Sequence, residues 1–265
     1  MAELKYTFKT DALFKILFVK HPDLLKKLVS VLLGIRLEDI SQFEITNTET
    51  PPAALGRKFC RLDINMIVNG RRTVLEVQVK DEGDFPERTL FQWARNYSVA
   101  LDAGKKYFQL PQVVHISIVN FEMFDCEEYH SEFRPLEVTR HTLLTDKMIM
   151  KYYELPKVPE IINADSDLEL WLALFKANTE EEFNKIEALE NPDMKEAIAA
   201  YHATAVSPEF LELERLLEKA AHDEAQALHN AEMRGEKRAE EKWENVIADK
   251  DAEIARLRAR LGEEK

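Results

Sequence analysis

Two residues, Asn69-Gly70, constrain this chain more than any others. They stand between two strand-like runs, Lys58–Val68 and Arg71–Lys80. A two-residue hairpin loop needs positive φ at both central positions, which Asn and Gly adopt most readily, so a tight antiparallel hairpin is predicted. Such a turn sets Val68 against Arg71, and every further pair of partners follows by counting. Asp63 then falls directly opposite Glu76. Facing residues bring their Cβ atoms to about 4.5–5.5 Å, and like charges at that spacing repel. One predicted face carries Leu62, Ile64, Met66, Val68, Leu75, Val77 and Val79. The other carries Arg61, Asp63, Asn65, Glu76, Gln78 and Lys80. A slip of one residue would bury the charged set, so the register is well determined.

Two facing carboxylates with an amide and a cation beside them suit a hard divalent ion. Mg²⁺ is commonly held by one or two protein carboxylates and keeps several waters. An ion of this kind polarises a phosphoryl group and lowers the pKa of an attacking water. Gln78 shares the face of Glu76, and its amide can both donate to and accept from a water. Lys80 and Arg61 can offset charge developing on the phosphorus centre. The bland reading of the same residues is a polar hairpin face that keeps the protein in solution, and it stands beside the metal reading at this point.

Around the hairpin the chain alternates between helix and strand. Thr10-Asp11 opens a largely apolar helix through Val19, His21-Pro22-Asp23 breaks it, and a second helix spans Leu24–Leu33 before Gly34. Residues 43–47 read as a short strand and 49–56 as a loop. Phe85–Ala103 is predicted helical, with Leu90, Trp93, Ala94, Tyr97 and Leu101 as its inner stripe and Gly104 as its C-cap. Val113–Val119 is an apolar strand containing His115, expected to be a satisfied core histidine. Glu127–Val138 and Lys147–Leu155 read as two edge strands. From Asp167 onward the composition is helical, with further helices at about 179–190, 192–205 and 207–232. An α/β fold follows. The expected division is residues 1–158 for the sheet-bearing domain and 159–265 for a helical region, with a linker at Pro156–Pro159.

The net charge of −13 is unevenly placed. The first 150 residues are close to neutral, so the acidity of the C-terminal part does not argue against nucleic acid binding by the N-terminal part. No apolar run approaches the ~20 residues of a membrane span, and the first residues lack a basic-then-apolar leader pattern. Cys60 and Cys126 are read as buried thiols, which fits a cytoplasmic protein. Near the C-terminus, Trp243, Ile247, Lys250, Ile254, Leu257 and Leu261 fall at alternating steps of four and three. A short coiled coil and a solvated single helix both account for that spacing.

The string RLDINMIVNGRRTVLEVQVK resembles the PD-(D/E)XK nuclease core, in the variant where ExQ replaces ExK. More narrowly, TDALFKILF, the ERTLFQWARNYS helix and the GKKYFQLPQVVHISIVNFEMF segment resemble the bacterial family of recombination-promoting nucleases and transposases. The similarity covers roughly residues 5–160. It implies a mixed central sheet flanked by helices, and a Mg²⁺- or Mn²⁺-dependent endodeoxyribonuclease acting in recombination or transposition. It further implies that Asp63 and Glu76 bind the metal, that Gln78 holds the place of the catalytic lysine, and that Asp11 is a further acid near the ion. Arg88, Gln92, Arg95 and Tyr97 match positions on the DNA side, although Tyr97 also fits the helix core. Gln78 departs from the pattern because it brings no positive charge; Lys15, one turn after Asp11, can take that role. The tail would join two or more subunits. The alternative is a nuclease-like module with little turnover, whose helical tail binds partners.

Overall fold

The hairpin turn forms as its residues dictate. In the computed structural model, which describes residues 3–46, 63–101 and 106–263, Asn69 has φ of 49° and Gly70 φ of 75°. The elements are α1 (Asp11–Lys20), α2 (Pro22–Leu33), β1 (Phe43–Ile45), β2 (Ile64–Val68), β3 (Arg71–Gln78), α3 (Phe85–Ser98), β4 (Val113–Val119), β5 (His130–Phe133), β6 (Met148–Glu154), α4 (Asp167–Lys176), α5 (Glu180–Glu187), α6 (Pro192–Ala205) and α7 (Pro208–Glu263). Among the described residues, six strands form one mixed sheet in the order β1-β2-β3-β4-β6-β5. The β2–β3 pair runs from Val68↔Arg71 to Ile64↔Leu75, the register expected from the turn. β3 pairs with β4 in parallel through the α3 crossover, and β4 pairs in parallel with β6. The fold is therefore α/β.

The turn also anchors the sheet edge. The Asn69 side-chain oxygen accepts from the backbone N–H groups of Ser41 and Gln42, at 2.9 and 3.1 Å. Its amide nitrogen donates to the Asp39 carbonyl at 2.7 Å. Those bonds hold residues 39–42 against the bend and lead the chain into β1, which pairs with β2 from Phe43↔Val68.

Several expected boundaries move. β3 ends at Gln78 rather than Lys80, because the Gln78 amide donates to the Lys80 carbonyl at 2.6 Å and curls the chain. β5 is confined to four residues, and it alone lies at that edge; β6 sits between β4 and β5. α3 stops at Ser98, where Val99 and Ala100 close the last turn onto the Arg95 and Tyr97 carbonyls. Its buried stripe is Phe85 and Thr89, with Trp93 half-buried; Leu90 and Ala94 are exposed. Cys126 is exposed and lies outside any strand. Cys60, Leu62, Gly104 and the first part of the predicted strand at 58–62 fall outside the described residues.

One sheet face, carrying Ile64, Met66, Val68, Leu75, Ile116 and Tyr153, is sealed by an aromatic core. Phe18 stacks on Phe175 with ring centroids 6.2 Å apart, and Phe8 packs against Phe175, Phe183 and Tyr201. Tyr153 donates to the Leu32 carbonyl at 2.5 Å, tying β6 to α2. Lys9 adds a polar tie: its ammonium donates to the carbonyls of Phe175 and Lys176 and to the Asn178 side chain. α4, α5 and α6 thus pack with the N-terminal helices.

The chain divides into two compact units, Met1–Leu213 and Glu214–Lys265. The described residues of the second, 214–263, belong to α7, a single helix of 56 residues. Every side chain from 221 to 260 is exposed. Gly235 does not interrupt the helix; a glycine there costs only about 1 kcal/mol relative to alanine. No described helix is long and apolar enough to cross a membrane.

Candidate active site

Side-chain alternation along β3 decides where Glu76 goes. Leu75 and Val77 face the aromatic core, so Glu76 turns to the opposite face, together with Val74 and Gln78. The parallel register sets Glu76 beside Ser117 of β4, and Ser117 beside Tyr152 of β6. One residue back, Val74 lies beside His115. This face is not open to water. α3 covers it: the Thr89 hydroxyl is hydrogen-bonded to the Tyr152 hydroxyl at 2.7 Å, and the Trp93 indole donates to the Val113 carbonyl at 3.0 Å. The alternative reading, a polar face that only keeps the protein in solution, does not describe the centre of this face. Val74 and Ile67 share this face with the acids, and α3 buries its central part.

Glu76 is 1 % exposed. Its Oε1 accepts from the Ser117 hydroxyl at 3.3 Å and lies 3.4 Å from His115 Nε2. Its Oε2 is sealed from solvent with no hydrogen-bond partner. His115 is 1 % exposed, and neither ring nitrogen makes a hydrogen bond; the 3.4 Å approach to Glu76 is not aligned as one. The expected satisfied core histidine is thus an unsatisfied one. Only its apolar surroundings in VVHISIV were visible; that β4 brings it beside Glu76 depends on a strand register no local pattern encodes.

Asp63 sits at the entrance to β2, half-buried, and the register carried one step past Ile64↔Leu75 sets it against Glu76. Lys15 comes from the middle of α1. It is 2 % exposed, and its ammonium donates to the Asp63 main-chain carbonyl at 3.0 Å. Burial pushes the Lys15 amine down to about 8, and the neighbouring Asp63 charge opposes that shift. Asp11 begins the same helix and is exposed. Burial also pushes the Tyr152 phenol up; the Thr89 bond opposes this, and the Glu76 charge adds to it.

The remaining candidates are placed less closely. Gln78 is half-buried and spends its amide N–H on the Lys80 carbonyl. Lys80 is exposed beyond the end of β3. Arg88, near the start of α3, pairs with Glu82 at 2.9 Å and lies 4.6 Å from the Phe85 ring centroid. Its Nε and Nη2, and the Gln92 Oε1 one turn on, are buried with no hydrogen-bond partner. Arg95 is exposed, and Tyr97 is half-buried, stacked on Trp93 at 4.9 Å. Arg61 lies outside the described residues.

Among the described residues, no three His, Cys, Asp or Glu side chains gather into a ready-made ion cage. The orphaned Glu76 Oε2 nonetheless fits a cation, because a buried carboxylate oxygen without a partner is costly.

Residues 8–231 match the family model described as PD-(D/E)XK nuclease family transposase. No curated protein and no solved structure matches the chain.

Proposed function

The chain belongs to the PD-(D/E)XK nuclease family transposases, and on that premise we propose that it is a divalent-metal-dependent DNA endonuclease, hydrolysing phosphodiester bonds in recombination or transposition. The observation that carries the reading is the sealed, partnerless Oε2 of Glu76, with Asp63 one residue before the first paired position of β2. Asp63 and Glu76 would hold Mg²⁺ or Mn²⁺, with Asp11 contributing from the first turn of α1. When bound, such an ion supplies phosphoryl polarisation and acidifies a water.

The chain's own groups do the rest of the proposed work. The Gln78 amide N–H is engaged, so its carbonyl oxygen accepts from the attacking water and orients it. Gln78 brings no charge; Lys15, fixed on the Asp63 carbonyl, brings one. Arg88, Lys80 and Arg61 are proposed to contact the nucleic acid backbone, Arg88 through N–H groups that have no hydrogen-bond partner. The enzyme is proposed to work in the cytoplasm as a dimer or larger assembly, joined through α7 by the exposed Trp243, Ile247, Ile254 and Leu257.

Two observations favour a second reading. Gln78 stands where the motif has lysine, and α7 offers an exposed helix of many turns. A nuclease-like module with feeble turnover that captures partners through α7 accounts for both. The test is to incubate supercoiled plasmid with the protein and Mg²⁺ or Mn²⁺, beside Asp63→Ala and Glu76→Gln. Nicking by the wild type and by neither variant supports the endonuclease. Equal cutting by all three, or none by any, leaves the module reading. Structured RNA run in parallel decides between the two nucleic acids.

A further inference from the structure

We infer that His115 is a nitrogen ligand of the same ion and biases the site away from Mg²⁺ toward Mn²⁺ and the later transition metals. The inference rests on the proposed role of Glu76 and goes beyond it by adding a donor of a different chemical kind, from a different strand.

Three observations converge. The first is placement: β4 pairs in parallel with β3, with His115 beside Val74 and Ser117 beside Glu76, so His115 and Glu76 are diagonal neighbours on one face, under α3. The second is distance. His115 Nε2 and Glu76 Oε1 are 3.4 Å apart. Two ligands at right angles on one ion, each bound at about 2.1 Å, stand roughly 3 Å from one another. The pair is therefore close to the spacing that a shared ion imposes, while too poorly aligned to satisfy each other by a hydrogen bond. The third is orphanage. Both imidazole nitrogens and Glu76 Oε2 are buried without partners, and buried polar groups in native proteins are nearly always partnered by protein, water or ion. One cation can meet lone pairs on both the imidazole and the carboxylate.

The ordinary alternative is a buried His–Glu ion pair. That pairing would leave Oε2 still unsatisfied, and the desolvation of both charges would be poorly recovered by a misaligned 3.4 Å contact. Ser117 already donates to Glu76 Oε1, so the carboxylate has an orienting partner without His115.

The chemical consequence is selectivity. Carboxylate and water ligands suit Mg²⁺ and Mn²⁺ alike, whereas imidazole suits transition metals and adds little for Mg²⁺. The full chain should bind Mn²⁺ more tightly than Mg²⁺, and His115→Gln should weaken Mn²⁺ binding by about 10–100-fold while leaving Mg²⁺ binding nearly unchanged.

The experiment is calorimetric titration of the full chain with Mn²⁺ and with Mg²⁺, joined to pulsed EPR of the Mn²⁺-loaded wild type, made with and without ¹⁵N-histidine. An imidazole nitrogen coupling that changes with the isotope and is absent in His115→Gln supports the inference. Mn²⁺ bound without nitrogen coupling, but lost in Glu76→Gln, overturns the inference and leaves the Glu76 metal site standing. Mn²⁺ binding that fails in the wild type, or is indifferent to Glu76→Gln, overturns both. The isotope readout is taken on the unmutated protein, so a poorly folded variant cannot decide the matter.

Discussion

The ammonium of Lys15 donates to the main-chain carbonyl of Asp63 at 3.0 Å, across 48 residues of sequence. It therefore fixes the point where β2 begins, and it carries a charge that burial disfavours. Replacing it with Met keeps the bulk and removes the buried charge together with its hydrogen bond to the Asp63 carbonyl. Stability should hold or rise, while plasmid nicking falls about 100-fold, the scale seen when one transition-state donor is removed. Thermal melting and nicking rate on the same preparation check this. A large drop in melting temperature would recast Lys15 as structural.

Lys9 gives a pH signature. Its amine is pushed down to about 8 by burial, with the Glu182 charge opposing. Between about pH 8 and 10.5 the unfolded chain binds more protons at this residue than the folded one, so stability rises with pH across that window. Three acceptors around the ammonium favour its charged form and hold the effect to the order of 1–3 kcal/mol. Denaturant unfolding at pH 7.5 and pH 10, compared with Lys9→Met, should show the wild type gaining relative to the variant. Parallel pH curves would remove Lys9 as the cause.

Phe8 is fully buried among Phe18, Phe175, Phe183 and Tyr201. Phe8→Ala should cost about 3–5 kcal/mol, as for other buried aromatics cut to alanine. By the same contacts, a fragment ending at residue 158 would expose the core face of α1 and α2. It should be aggregated or molten by near-UV circular dichroism, whereas residues 1–213 should fold. A cooperative melt from the 1–158 fragment would contradict this.

The side chains from 221 to 260 are exposed, so removing residues 221–265 should leave the melting temperature of the remaining unit within a degree or two. Light scattering should then show the mass falling to that of a monomer if α7 pairs with itself through Trp243, Ile247, Ile254 and Leu257. An unchanged number of subunits would place self-association elsewhere.

The hairpin was legible because the conformational demand of its turn is local: two positive-φ residues fix a register, and the register fixes which acids face each other. The helical face of α3 was not legible. Its inner side includes Arg88 and Gln92 with partnerless buried atoms, so apolar periodicity pointed instead to Leu90 and Ala94, which are exposed. Nor does alternation along a strand say what lies above it; the centre of the polar face of β3 is covered by α3. His115 illustrates the same limit, since its neighbour is set by parallel pairing of strands joined through a long crossover. α7 was read as separate helices because charge-dense sequence without a proline offers no boundary signal in either direction.

The Asn69-Gly70 bend has a further consequence, for the lifetime of the protein. Asparagine followed by glycine is the pairing least shielded from succinimide formation, since no side chain hinders attack by the next backbone nitrogen. Conversion of Asn69 to aspartate would delete the amide that donates to the Asp39 carbonyl and set a carboxylate in its place; conversion to isoaspartate would lengthen the loop backbone by one carbon. Deamidation on storage would thus loosen the sheet's outer strand first, and ageing of a sample should register at β1 before it reaches the carboxylates at the far end of the hairpin.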